Sequence, residues 1–271
     1  MRTATTTIRD RFSGEAANWN SLYSPEASET LYEHNLLRRR KTAIEFLGKP
    51  SGHILDIGCG PGNVTLDIEH DGTLTGVDFA LPMLHQASDS ATKQQKGVNL
   101  MASDATALPL ASSSTNTVLV LGLLEYISNP RDVLQEIHRI LQIGGTLVLS
   151  FPNARSPFVW IDDVIKGLKN GITRRLIPTR VRKTIKSWLG KTDESYFSHK
   201  RHRFVSRAII AGLEDQGYEI LVKKCHTYGF GFLNRSRLNL SLCRKLESWA
   251  TTYPKLEKLG WTIVLKTRKR F

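Results

Sequence analysis

Three cysteines in 271 residues, Cys59, Cys225 and Cys243, are too few and too unpatterned to suggest a disulfide frame or a zinc site, so no metal is expected. That scarcity fits a reducing compartment, and the expected location is cytoplasmic. Long apolar runs are missing as well. The longest, Val118 to Leu124, falls far short of the roughly 20 residues that cross a bilayer. The opening MRTATTTIRD has no apolar h-region, which excludes reading it as a signal peptide. Low-complexity tracts and internal repeats are absent, so the chain reads as an ordinary globular one. Acids are scarce beside bases, 25 against 38, for a net charge of +13. Such a balance calls for acidic partners, nucleic acid or anionic lipid, or serves solubility. Apolar residues make up 40% of the chain, enough for a core, and the length fits one large domain or one domain with a substantial insertion.

What is present centres on His53-Ile54-Leu55-Asp56-Ile57-Gly58-Cys59-Gly60-Pro61-Gly62. An apolar strand runs into a glycine-rich turn, and a helix is expected to begin near Asn63. Residues without Cβ let a ligand approach the backbone, and a helix N-terminus favours a negative group. A dinucleotide turn wants G-x-G-x-x-G, but Asn63 holds the third-glycine place. Asp56 would repel phosphates and hold an ammonium group instead. Asp78 closes the second strand, Leu74–Asp78, and lies 22 positions beyond Asp56, near the ~20-residue offset at which an acid meets a ribose. Val118 to Leu124 suits a strand buried on both faces of a parallel sheet. Val133, Leu134, Ile137, Ile140 and Leu141 share one helical face of Pro130–Leu141, with Gly144-Gly145 ending that helix before a strand over Thr146–Phe151. A helix over Ser206–Gly217 and strands over Tyr218–Lys224 and Trp261–Lys266 complete a pattern that predicts a doubly wound α/β domain.

In this strand–turn–helix setting, D-I-G-C-G-P-G resembles motif I of the class I S-adenosylmethionine-dependent methyltransferases. The Leu134–Gly145 stretch is similar to the L-x-E-I-x-R-x-L-x-P-G-G signature of the type 11 group, with Ile143 in the proline place, and Leu108-Pro109-Leu110 resembles its "LPF" turn. The chain is also similar to ubiquinone-biosynthesis and magnesium-protoporphyrin methyltransferases. The resemblance implies a seven-stranded Rossmann-like sheet in order 3-2-1-4-5-7-6, with S-adenosyl-L-methionine as cofactor. It assigns Asp56, Gly58, Cys59, Gly60 and Gly62 to the cofactor turn and Asp78 to the ribose. Phe79 and Met83 would line the adenine pocket, Asp104 and Ala105 would meet the adenine edge, and Leu121 and Tyr23 would flank the cofactor. Tyr126 stands where relatives carry His, and Glu125 beside it is a candidate general base or an orienting carboxylate.

The domain expectation is an N-terminal helical lid over 1–49, a cofactor-binding core over 50–155, a basic amphipathic insertion over 156–204, and the rest of the sheet over 205–271 with a helical insertion at 226–258. Lys166 to Lys191 holds nine Lys and Arg and no acid. Its apolar residues fall at helical spacing, which reads as peripheral binding to an anionic membrane surface through 161–191, or as a helical cap. His199 and His202 are candidates for an acceptor-binding or general-base role. The expected activity is O-methylation of a small amphiphilic or lipid-linked acceptor of quinone, porphyrin or glycan type. A nucleic-acid methyltransferase and a non-catalytic cofactor-binding protein are the alternatives.

Overall fold

A computed structural model describes residues 12–14, 16, 19, 21–23, 30–165 and 203–271. Its seven strands form one mixed sheet in the order β3-β2-β1-β4-β5-β7-β6. They are β1 (Ser51–Ile57), β2 (Asp71–Asp78), β3 (Asn99–Ala102), β4 (Thr115–Leu121), β5 (Leu141–Pro152), β6 (Tyr218–His226) and β7 (Thr262–Lys269). The first five run parallel, while β7 is antiparallel to both β5 and β6.

Helix α1 (Leu31–Leu47) precedes the sheet, α2 (Leu81–Lys93) follows β2, and α3 (Pro130–Ile140) joins β4 to β5. Helix α4 (Ser206–Asp215) leads into β6, while α5 (Arg237–Thr252) and the short α6 (Pro254–Glu257) separate β6 from β7. The central strands are apolar on both faces because both are covered. Leu55, Ile57, Val118, Val120, Leu147 and Leu149 point into a core closed by Val133, Ile137 and Ile140 of α3. Ile54, Leu119, Val148 and Val264 point the other way, onto Tyr32, Leu36 and Ala43 of α1.

The structure departs from the sequence expectations in three places. First, no α-helix follows the glycine turn; only a 3-10 turn, Thr65–Asp67, stands there. Second, the apolar run beginning at Val118 leaves the sheet at Leu121, since Gly122 adopts φ +67° and Leu123 and Leu124 belong to the next turn. Third, Gly144-Gly145 does not terminate α3. The helix passes directly into β5, where Thr115 pairs with Leu141 and Thr117 with Thr146, so residues 142–145 form an irregularity inside the strand. Lys269 fixes that junction by donating to the carbonyls of His138 (2.7 Å) and Leu141 (2.9 Å).

Candidate active site

Beyond the C-terminal ends of β1, β2 and β4 lies a cavity of about 320 Å³. An open α/β sheet places a ligand there. The floor is the glycine turn. Backbone N–H groups of Gly58 and Cys59 both donate to the carbonyl of Val77 (2.7 and 3.0 Å), which clamps the turn to β2. Gly60 sits at φ +54° with nothing within 4 Å of where a Cβ would be, so the backbone is open to a ligand.

Asp78 ends β2 and is held from both sides. Its Oδ2 accepts the Gly60 N–H (3.0 Å) and its Oδ1 the Ala80 N–H (2.9 Å). A carboxylate has about four acceptor positions, so both oxygens keep capacity toward the cavity they line. Burial raises this carboxyl, against the backbone donors that lower it. Asp56 is fully enclosed at the end of β1, accepting from Thr65 Oγ1 at 2.6 Å. Burial pushes its carboxyl up to about 7; Thr65 and Arg39 oppose the rise and Asp78 adds to it. The Cys59 thiol is raised well above its usual range, chiefly by burial, which disfavours the thiolate form.

Of the cofactor residues expected from sequence, Asp56, Gly58, Cys59, Gly60, Asp78, Phe79, Met83, Asp104, Ala105, Leu121 and Tyr23 all line this cavity. Gly62 does not. A Cβ on it would meet Ala87 at 3.3 Å and Leu66 at 3.4 Å, so its bare backbone lets the turn pack against α2. Asp104 Oδ1 accepts from both the N–H and the hydroxyl of Thr106 (2.9 and 2.8 Å), which fixes that carboxylate at the cavity edge. Glu125 is buried and is not among the lining residues. It acts electrostatically on Arg39, so its place suits the orienting role over that of a base touching an acceptor. His199, His202 and the 166–191 part of the basic insertion lie outside the described residues. His226 is buried at the end of β6, with Nδ1 2.9 Å from Thr227 Oγ1, and does not line the cavity.

Arg39 is the residue that sequence reasoning missed. Among the described residues it is the sole basic side chain lining the cavity. Its guanidinium donates to Tyr23 Oη (3.1 Å) and lies so close to Gly122 that a Cβ there would come within 2.2 Å of Nη1. Burial opposes its charge, but Tyr23, Glu125 and Tyr32 outweigh that and keep it charged. The 3-10 turn after the glycines has no helix dipole to offer an anion, and Arg39 supplies the positive charge in its place. The one available signal was an arginine on the apolar side of α1, seven residues after Tyr32. Phe12 lines the cavity, with ring centroids 5.2 Å from Tyr126, 6.0 Å from Trp19 and 6.5 Å from Phe79.

The donor set fits an S-adenosyl nucleoside: Asp78 for a ribose diol, Asp56 for an ammonium, Arg39 for a carboxylate, Phe79 and Met83 for a flat apolar ring. A second polar cluster, His34, Cys243 and Glu247, lies between α1 and α5. There Glu247 pairs with His34 (3.1 Å) and Arg38 (3.2 Å) and accepts the Thr227 N–H, so the cluster is a clasp between helices.

Residues 55–149 match the family described as "Methyltransferase domain". A malonyl-[acyl-carrier protein] O-methyltransferase of Enterobacter lignolyticus (strain SCF1) is 29% identical over 141 residues, 48% of this chain and 55% of that protein. A ubiquinone/menaquinone biosynthesis C-methyltransferase of Syntrophotalea carbinolica is 27% identical over 176 residues, 59% of this chain and 74% of its own length. The chain therefore spans about half the length of the first of these relatives and three quarters of the second. Magnesium protoporphyrin IX methyltransferase from Synechocystis PCC 6803, solved with bound SAH, superposes with a TM-score of 0.65 at 14% identity, over 98% of this chain and 99% of that one. The [4+2]-cyclase SpnF shares the fold at a TM-score of 0.54 and 18% identity, over 86% of this chain and 80% of that one. Likeness at these identities establishes the fold alone.

Proposed function

We propose that this protein, whose residues 55–149 match a methyltransferase domain, is a class I S-adenosylmethionine-dependent enzyme that transfers a methyl group to an amphiphilic acceptor. The observation that carries the proposal is the convergence of Asp56, Asp78 and Arg39 on one cavity. Those three side chains present the charge pattern that recognises an amino-acid nucleoside at its ammonium, its ribose and its carboxylate. S-adenosylmethionine, when bound, supplies an already activated methyl: the carbon–sulfur bond breaks, a bond to the acceptor's nucleophile forms, and the electron pair stays on sulfur.

The chain's own residues therefore contribute position more than chemistry. Asp78 and Asp104 fix the nucleoside end, while Arg39 and Asp56 fix the amino-acid end. The rings of Phe12, Trp19, Tyr23, Tyr32 and Tyr126 make the remaining wall aromatic, which supports an acceptor with an apolar body. Such a wall also excludes water from the transfer. Of the relatives, the malonyl-[acyl-carrier protein] O-methyltransferase supports O-methylation as the first reading, while the ubiquinone/menaquinone biosynthesis enzyme is a C-methyltransferase and makes carbon the competing target. Cytoplasmic residence, with contact at the inner membrane face, is part of the proposal; the few unpatterned cysteines and the basic 161–191 stretch support it.

Titration calorimetry with S-adenosylmethionine, followed by tritiated-methyl transfer to lipid extract, glycan or RNA, tests this. Asp78→Ala is expected to weaken cofactor binding roughly 30-fold, for loss of about 2 kcal/mol of hydrogen bonding to a charged acceptor. Binding unchanged by Asp78→Ala rejects the assignment of the cavity. Label entering only RNA rejects the amphiphile and supports a nucleic-acid methyltransferase. Cofactor binding without transfer to any pool supports a non-catalytic role.

A further inference from the structure

Residues 233–258, between β6 and β7, have an outer surface that neither the cavity nor the core uses. Leu238 is 84% exposed, Tyr253 60% and Trp249 56%. On α5, Leu238, Leu242 and Trp249 stand at i, i+4 and i+11, which places them on one stripe. The opposite side of the same helix buries Asn239, Leu240 and Cys243. The apolar stripe is thus an addition to a helix that is already packed. Lys245, at i+7, stands on the same line between Leu242 and Trp249, so the face is apolar with a cation set into it, and exposed apolar surface of this kind marks an interaction site.

The charge around the stripe has one sign. Arg235, Arg237, Arg244, Lys245, Lys255 and Lys258 are all exposed. The only two acids of this segment, Glu247 and Glu257, face inward: Glu247 pairs with His34 and Arg38, and Glu257 accepts the Cys225 N–H at 3.0 Å. An outward face of Leu, Trp and Tyr ringed by Lys and Arg is complementary to an anionic bilayer interface. The aromatic rings sit among headgroups, and each cation near the surface is attracted to acidic lipid. Nucleic acid would engage the cations but leave Leu238 in water. A second copy of the chain would bring like charges together.

The segment is also joined to the cavity wall. The Asn234 carbonyl accepts the Leu31 N–H (2.8 Å), and Asn234 Oδ1 accepts the Tyr32 N–H (2.9 Å). Tyr32 lines the cavity.

We propose that the outer face of residues 233–258, centred on Leu238, Leu242 and Trp249, docks the protein on an anionic lipid surface. The face belongs to a different stretch of sequence from 166–191 and includes no residue assigned to the cofactor. The full chain, co-sedimented with vesicles of phosphatidylcholine alone and of phosphatidylcholine mixed with phosphatidylglycerol, is expected to bind the mixed vesicles and not the neutral ones. Combining Leu238→Ser with Trp249→Ser is expected to cut that binding about tenfold or more, since apolar burial and charge act together in such helices. Binding is also expected to fall as salt rises.

Both substitutions fall on exposed positions, and an unchanged melting temperature and cofactor affinity will confirm that the variant is folded. Absence of binding to acidic vesicles overturns the proposal. So does a double variant that binds as well as the parent, which would place docking on 161–191 instead. Loss of self-association by the variant with vesicle binding intact also overturns it and marks the face as a protein interface. Cofactor calorimetry reports on the methyltransferase reading independently, so the two ideas fail separately.

Discussion

Asp56 keeps its proton up to about pH 7 because burial penalises its charge. In the unfolded chain the same carboxyl releases its proton near 3.8. Between those values the folded chain holds a proton at Asp56 that the unfolded one has released, so the contribution of this group to the stability of the ligand-free protein falls as pH rises from about 4 to about 7. Asp56→Asn is expected to flatten that decline and to melt higher than the parent at pH 8, which a pair of thermal scans will measure. An ammonium set against Asp56 reverses the preference. Cofactor affinity should therefore rise as pH passes upward through 7, with a proton released on binding, and calorimetry in buffers of different ionisation heat will count it. Gly122 offers a second test. A Cβ there would press on Arg39 Nη1 and occupy a positive-φ position. Gly122→Ala is expected to weaken cofactor binding roughly tenfold, about 1.4 kcal/mol, through a displaced guanidinium. No change in affinity would remove Arg39 from the site.

At the scale of elements, α1 shows how local chemistry sets a wall of the cavity. Thr30 caps the helix by accepting the Glu33 N–H (3.1 Å), and Glu33 returns the bond by accepting the Thr30 N–H (3.0 Å). Thr30→Ala should cost about 1 kcal/mol and lower the melting temperature by roughly 2–4 °C for a chain of this size. It should also loosen Tyr32 in the first turn and weaken cofactor retention slightly.

The Glu-x-x-Arg of α3 was legible as a family signature, and the structure gives it a physical task. Glu136 accepts the Leu108 N–H (2.6 Å) while Arg139 donates to the carbonyls of Leu108 (3.1 Å) and Leu110 (2.7 Å), pinning the turn after β3 to the helix. What the sequence did not disclose were irregular backbones. The 3-10 turn at Thr65–Asp67 and the detour at 142–145 arise from tertiary pairing, which hydrophobic periodicity does not encode. Arg39 escaped for a related reason. An arginine on a helix is normally a solvated residue, and only the packing of α1 across the end of β4 turns this one inward.

For the molecule as a whole, the strand order came from resemblance. Apolar runs indicate strands but do not say which lie side by side. That Asp56 and Asp78 would meet at one cavity was readable because motif and spacing coincide at those two acids. The net charge of +13 was readable too, but where that charge meets apolar surface was not. The stripe of α5 is broken in sequence by Lys245 and by buried residues, and it becomes a face only once the helix is seated.

The placement of β7 has a consequence for how the protein is made. This strand lies between β5 and β6 although it is later in the chain than either. A ribosome delivers β6 before anything exists for it to pair with, since β7 is its neighbour in the sheet. For that interval β5 has a bare margin and β6 floats, both able to join edges on other nascent chains. The step that closes this window is insertion of the latecomer between them, where Lys269 clips its far end to the α3–β5 junction.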